Sequence, residues 1–257
     1  MGHHAPDGGE GLNPEGRPEP GGEAELEAKP NTVRDAGEGS AALERGRILF
    51  AGPCAYVVSA ARIEQLPASG VAEVAFAGRS NVGKSSLVNA LTGRRTLAKT
   101  SVTPGRTQQL NFFDLGGRLM LVDLPGYGYA RAPKARVEAW SRVVEDYLAG
   151  RPPLRRALLL IDSRHGVKDI DRRIMAMLNR AAVAYQVVLT KADKITASAL
   201  VERTSALDAE LRTQPAAHPE VIATSVRTGA GIDILRASLA ALSTWTADTS
   251  DISTPAR

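Results

Sequence analysis

The chain has 257 residues, 43% hydrophobic but only 4% aromatic, which allows one domain with an extension or two small domains. No apolar run approaches the roughly 18–20 residues that span a bilayer, and the N-terminus lacks the charged-then-apolar pattern of a secretory signal; a soluble cytoplasmic protein is the expectation. Cys54 is the only cysteine, which excludes an intrachain disulfide and a multi-cysteine metal site. No positive charge flanks it to stabilise a thiolate, so it reads as a small buried or edge-strand residue.

Charge is unevenly divided. Residues 1–46 carry ten acidic and four basic side chains, a net of −6, and the remainder 28 basic and 18 acidic, a net of +10. A basic region behind an acidic segment suits a polyanionic partner such as RNA, although a generic basic surface has the same composition. Residues 1–46 are dominated by Gly, Glu, Pro and Ala, so they are expected to form a disordered tail. A folded domain is expected over 47–245 and a flexible tail over 246–257, rich in Thr, Ser and Asp.

Within that domain, 71–77 is an apolar run ending at a glycine and reads as a buried strand, and 85–91 opens a helix. Runs 109–115 and 118–124 are strand-like and joined by Gly116-Gly117, a hairpin signal. Residues 133–148 form an amphipathic pattern with Pro133 at its start. Further strands are expected at 157–161, 186–189 and 220–223, and helices at 169–181, 198–212 and 232–242. The alternation predicts an α/β fold of three layers, a mostly parallel six-stranded sheet with one antiparallel strand and helices on both faces.

Residues 78–85 fit G-x-x-x-x-G-K-[ST] between a predicted strand and a predicted helix. Glycines there let backbone N–H groups converge on phosphate oxygens, and the helix N-terminus favours the anion. Lys84 would contact the outer phosphates and the Ser85 hydroxyl would bind Mg²⁺. Thr190-Lys191-Ala192-Asp193 ends a predicted strand, where ligands bind in open α/β sheets. The Asp193 carboxylate can accept from the ring N–H and exocyclic amine of guanine, a donor pair that adenine lacks; Lys191 would pack its stem over the base. Asp123-Leu124-Pro125-Gly126 follows another strand in D-x-x-G form. Asp123 would hold magnesium, and the Gly126 N–H would sense the γ-phosphate. After the last strand comes Ser225-Val226-Arg227-Thr228-Gly229-Ala230-Gly231-Ile232, similar to the S-A-x-x-G-x-G-I loop of GTPases, with the Val226 N–H meeting the guanine carbonyl.

These four elements, in this order, resemble the translation-factor-like class of P-loop GTPases. Residues 74–87, 100–108 and 122–130 resemble one family closely, the EngB/YihA/YsxC ribosome-biogenesis GTPases, and the likeness covers roughly 50–245. It implies a Ras-like fold and a GTPase converting GTP to GDP and phosphate. It also implies that Thr107 is the switch threonine on Mg²⁺, while the residues alone leave Thr103 as a competitor. The candidate nucleotide-binding set comprises Gly78, Arg79, Ser80, Asn81, Val82, Gly83, Lys84, Ser85 and Ser86. It continues through Gly105, Arg106, Thr107, Gln108 and Gln109, then Asp123, Leu124, Pro125 and Gly126. Thr190, Lys191, Ala192 and Asp193, with Thr224, Ser225 and Val226, complete it. The metal set is Ser85, Thr107 and Asp123; Lys84, Thr107, Gly126 and Asn81 are the candidate catalytic residues.

Many GTPases place a glutamine after the D-x-x-G glycine to orient water; this chain has Tyr127, so slow intrinsic hydrolysis is expected. Asn81 matches the P-loop asparagine that helps bind K⁺ in potassium-activated relatives, or it only shapes the loop. The partner is a second source of stimulation. Tyr127 and Tyr129 beside Arg131, Lys134 and Arg136 would contact rRNA or form a solvated helix start. The resemblance implies a switch acting on the large ribosomal subunit precursor and its rRNA, with a link to septation and cell division. A monomer is expected, with no DNA or membrane partner. A GTPase scaffold at the membrane or division apparatus is the alternative, and the Thr190–Asp193 segment argues against a metabolic P-loop kinase.

Overall fold

The computed structural model describes residues 34–68, 70–94, 97, 109–127 and 134–243, side chains included except at 34–38 and 134–141. Its strands in chain order are β1 (Ala55–Ala60), β2 (Glu73–Gly78), β3 (Leu110–Leu115), β4 (Leu119–Asp123), β5 (Leu154–Asp162), β6 (Tyr185–Thr190) and β7 (Ile222–Ala223). The helices are α1 (Arg34–Ala51), α2 (Lys84–Thr92), α3 (Lys134–Gly150), α4 (Asp169–Arg180), α5 (Ala197–Leu211) and α6 (Ile232–Ala240). The strands form one sheet in the order β1-β3-β4-β2-β5-β6-β7. Only β3 runs against the others, pairing antiparallel with β1 and β4.

Strand alternation divides the core into two layers. Val74, Phe76, Leu158 and Leu160 face α1, α2 and α6, where they meet Leu49, Phe50, Leu87, Leu91, Leu235 and Leu239. Ala75, Ala77, Leu159 and Ile161 face the other way, against Tyr147, Met175, Leu178, Leu207 and Leu211 of α3, α4 and α5. Every residue of β2, β4 and β6 is buried, as expected of strands covered on both faces. The hairpin between β3 and β4 closes at Leu115↔Leu119 through residues 116–118, with Gly116 and Gly117 at φ 62° and 68°, left-handed values that glycine adopts without strain.

Two boundaries differ from the sequence reading. The sheet has seven strands rather than six, because 55–60 adds an edge strand beside β3. Its residues run from exposed to buried without strict alternation, and a bulge between Tyr56 and Val58 disrupts the register, so periodicity gave no signal. The tail expected over 1–46 is replaced from Arg34 onward by α1. Leu49 and Phe50 are each only 2% exposed, and a Cβ on Gly46 would lie 2.6 Å from Ala237 N. The glycine therefore lets α1 approach the α6 backbone closely, which a composition argument counts only as a helix-weakening residue. The rest of the acidic segment, 1–33, and the tail over 246–257 lie outside the described residues.

Glu73, at the start of β2, is fully buried. It accepts hydrogen bonds from Arg151 Nε and Nη2 and from the Tyr147 hydroxyl at 3.0 Å. This buried ion pair stands at the opposite end of β2 from Gly78.

Candidate functional site

Parallel pairing of β2 with β4 and β5, and of β5 with β6, gathers their C-terminal ends on one side of the sheet. Three of the four sequence motifs leave from those ends, and Thr224 follows β7 on the same side. At Gly78 a Cβ would strike Val82 Cγ1 at 2.8 Å and Leu160 Cβ at 3.1 Å, so only glycine lets the chain leave β2 and double back over it. Asn81 and Gly83 take left-handed φ of 63° and 105°. Asparagine tolerates that region better than most residues, so Asn81 does shape the loop, and its side chain is exposed. α2 then begins at Lys84 with no side-chain cap from Gly83, leaving its first-turn N–H groups for an anion.

Lys84 Nζ pairs with Asp123 Oδ1, and both side chains are largely buried. Asp123 ends β4, as the D-x-x-G reading required. Ser85 occupies the first turn of α2, and Leu124 and Pro125 are buried behind the loop. At Gly126 a Cβ would sit 3.1 Å from Ser80 Oγ and 3.2 Å from Ser80 N, so the second motif lies directly on the first. Ser80 N donates to Tyr127 O at 3.0 Å, and Tyr127 N to Gly78 O at 3.2 Å.

Ser85 and Asp123 offer a hydroxyl and a carboxylate, hard oxygen donors of the kind Mg²⁺ takes while keeping waters and phosphate oxygens as its other ligands. Among the described residues no group of three His, Cys, Asp or Glu side chains forms a metal site by itself. Thr107, with Gly105, Arg106 and Gln108, lies outside the described residues, as does its competitor Thr103; Gln109 is exposed just before β3.

The guanine-side motif is joined physically to the phosphate-side motif. Thr190 Oγ1 donates to Val82 O at 2.7 Å. Lys191, left-handed at φ 57°, donates from Nζ to Asn81 O at 2.7 Å and to Asp162 Oδ2 at 2.8 Å. Burial pushes the Asp162 carboxyl up, but hydrogen bonds from Arg164 and Lys191 outweigh it and hold the group well below the usual carboxylate range. Ala192 N donates to Thr224 O at 3.0 Å, and Thr224 N to Leu189 O at 2.7 Å. Asp193 Oδ1 accepts from Ser225 Oγ and Oδ2 from Arg227 Nε, each at 2.7 Å. Those two bonds, Ser225 first, lower the carboxyl to about 2. Val226 is exposed beside them. Gly231 at φ 70° packs so closely that a Cβ would overlap Ala223 O, which closes the loop back onto β7.

Tyr127 departs from the sequence reading. It is 4% exposed, and its hydroxyl donates to Asp171 Oδ1 at 2.8 Å, so it turns into the fold and cannot stack on an RNA base. Tyr129 and Arg131, and the side chains of Lys134 and Arg136, lie outside the described residues. Sequence reasoning also passed over Asp162, Asp171 and Arg227. Asp162 had a usable signal, being the first polar residue after the aliphatic run 157–161, at a strand end where ligands bind. The other two had none, since their roles come from contacts distant in sequence.

Comparison with solved structures supports the architecture. A probable GTP-binding protein engB superposes with a TM-score of 0.53 at 24% identity, over 64% of this chain and 95% of that one. Era in complex with MgGDPNP and nucleotides 1506–1542 of 16S ribosomal RNA gives 0.54 at 22%, over 69% and 58%. At these identities the likeness is one of fold. A family model described as a 50S ribosome-binding GTPase matches residues 73–191. Phosphate loop, D-x-x-G strand end and guanine-side carboxylate thus define a P-loop GTP-binding protein of the GTPase class. Probable GTP-binding proteins EngB are similar over most of the chain: that of Rhodospirillum rubrum is 58% identical over 81% of this chain and 92% of its own length. That of Granulibacter bethesdensis is 52% identical over 86% and 96%. The chain belongs to the EngB family of GTP-binding proteins.

Proposed function

We propose that this protein is a GTP-hydrolysing switch whose GTP form engages the precursor of the large ribosomal subunit through rRNA and acts in its assembly. Cell division and septation then depend on it through ribosome supply. One observation carries the nucleotide half: Asp193, a carboxylate held ionised by Ser225 and Arg227, stands at the end of a strand whose Lys191 is tied to the phosphate loop at Asn81. The ribosomal half is supported by the 50S ribosome-binding description of the matching family and by the net +10 of the chain beyond residue 46.

In this reading the α2 amides and Lys84 hold the phosphates, and the Gly126 N–H, packed on Ser80, meets the γ-phosphate. Ser85 and Asp123, with Thr107 as the family resemblance implies, would hold Mg²⁺, which neutralises phosphate charge when bound. Asp193 reads guanine and the Val226 N–H its carbonyl. The hydroxyl of Tyr127 is engaged by Asp171 and cannot orient water, so intrinsic turnover is slow. Help comes from K⁺ beside Asn81 and from the ribosomal partner.

Co-sedimentation with 50S subunits in GTP and in GDP tests the partner; the expected result is retention in GTP only, and no retention in either state overturns it. GTP turnover in K⁺ and Na⁺ buffers, with and without subunits, tests the hydrolysis. Rapid turnover indifferent to both would refute that part.

A further inference from the structure

Asp171, the third residue of α4, is a fully buried carboxylate that none of the nucleotide motifs contains. Its Oδ2 accepts from Lys168 N at 2.9 Å, closing the first turn of its own helix. That bond alone makes it an N-terminal capping carboxylate. Its other contacts reach across the fold to the two motifs on which hydrolysis depends. Oδ1 accepts from the Tyr127 hydroxyl at 2.8 Å, and Oδ2 lies 3.5 Å from Arg79 Nε, a buried nitrogen with no hydrogen-bond partner of its own. Arg79 follows the first glycine of the phosphate loop, and Tyr127 follows the glycine of D-x-x-G.

Backbone bonds already join these two residues. Tyr127 N donates to Gly78 O and Tyr127 O accepts from Ser80 N, so the peptide groups on both sides of Tyr127 are fixed against the loop. Asp171 adds the side-chain anchor from behind. Burial and the neighbouring Asp171 charge push the Tyr127 hydroxyl far above its ordinary range, which keeps it a donor at any working pH. Gly126 lies between Asp123 and this anchor, within van der Waals reach of Ser80. Its carbonyl shares the peptide pinned at Tyr127 N, so the placing of Gly126, and of its N–H one peptide back, depends on how firmly Tyr127 is held.

We propose that Asp171 is a positioning residue for hydrolysis: by holding Tyr127 and Arg79 together it fixes the Gly126 peptide on the phosphate loop. Its loss then slows the γ-phosphate step while leaving guanine and diphosphate binding intact. This rests on the hydrolytic reading above. A small misplacement of a group that acts on the reacting centre costs on the order of 10- to 100-fold in rate, whereas Asp193 and the α2 amides bind GDP without it.

The test compares full-length wild type with Tyr127→Phe, which removes one hydroxyl, Asp171→Asn and the double variant. Single-turnover GTP hydrolysis and fluorescent-GDP affinity are measured below the lowest Tm of the set. Arg151→Lys, at the far end of β2, serves as a control that lowers Tm without touching this cluster. The expected result is a rate loss of about tenfold or more in each single variant, with GDP affinity within about threefold. The double variant should lose no more than the worse single one, because both act through one contact. Wild-type rates in the variants, equal losses in rate and GDP affinity, or an equal rate loss in the Arg151→Lys control would overturn the proposal. If Asp171→Asn does not fold, Tyr127→Phe alone decides. A wild type without GTP turnover would instead refute the hydrolytic reading itself.

Discussion

Asp193→Asn is the sharpest perturbation of the guanine reading. In the wild type each carboxylate oxygen already accepts one bond, from Ser225 or Arg227, and keeps a second lone pair for an N–H donor of guanine; each bond to a charged acceptor contributes about tenfold to a hundredfold in affinity. Asparagine keeps one oxygen, now neutral, and turns an NH₂ towards the exocyclic amine, so a donor faces a donor. One charged bond is lost, the other is weakened, and GDP affinity should fall by about two to three orders of magnitude. Arg227 offsets little of this, because its side chain is 65% exposed and readily leaves Oδ2 for solvent. Xanthine carries an oxygen where guanine has the amine, so the variant should bind xanthosine diphosphate better than GDP, inverting the wild-type order. Titration with both fluorescent diphosphates measures it. The carboxyl is lowered to about 2 by Ser225 and Arg227, so it remains charged as pH falls from 8 to 5, and the ratio of GDP to ADP affinity, in which titration of the terminal phosphate cancels, should stay flat across that window. A variant that binds GDP within threefold of wild type would refute the assignment of Asp193.

Three further outcomes are expected. Arg151→Ala strands the buried Glu73 carboxylate and should cost about 3–5 kcal/mol of stability, read by urea denaturation with GDP affinity unchanged at low denaturant. Deleting residues 1–51 uncovers the sites of Leu49 and Phe50 and should cost about 3–6 kcal/mol more than deleting 1–33 alone; equal effects would contradict the packing of α1. The Cys54 thiol, pushed up to about 11 by burial, should resist maleimide at pH 7.5 in the native protein and react fully in urea.

The legible part of the molecule is local. Gly78, Lys84, Ser85 and Asp193 each stand in a short motif beside an apolar strand, and the motif's chemistry implies its backbone. Strands β2, β4, β5 and β6 announced themselves because burial on both faces demands unbroken apolar runs. What stayed hidden depends on contacts across long loops. Asp162 reaches Lys191 over 29 positions, and Tyr127 reaches Asp171 over 44. Tyr127 read as a surface aromatic because no pattern within its own segment says that a buried carboxylate awaits its hydroxyl. α1 was hidden by Gly46, which composition counts against helix and which the structure uses to bring α1 against α6.

β7 is two residues long, and its ladder with β6 has only the two pairs Val188↔Ile222 and Leu189↔Ala223, continued by the Thr224 N bond to Leu189 O. The loop from Thr224 to Gly231 hangs from this seam, while Asp193 belongs to the far better anchored β6 side. In the proposed function, a base held by Asp193 on one side and by the Val226 N–H on the other would clasp the shortest pairing in the sheet. Short edge pairings are where local opening costs least, and a ligand that bridges one suppresses the opening by mass action. In the proposed function, nucleotide release is then coupled to fraying of this edge, and lengthening β7 should slow it.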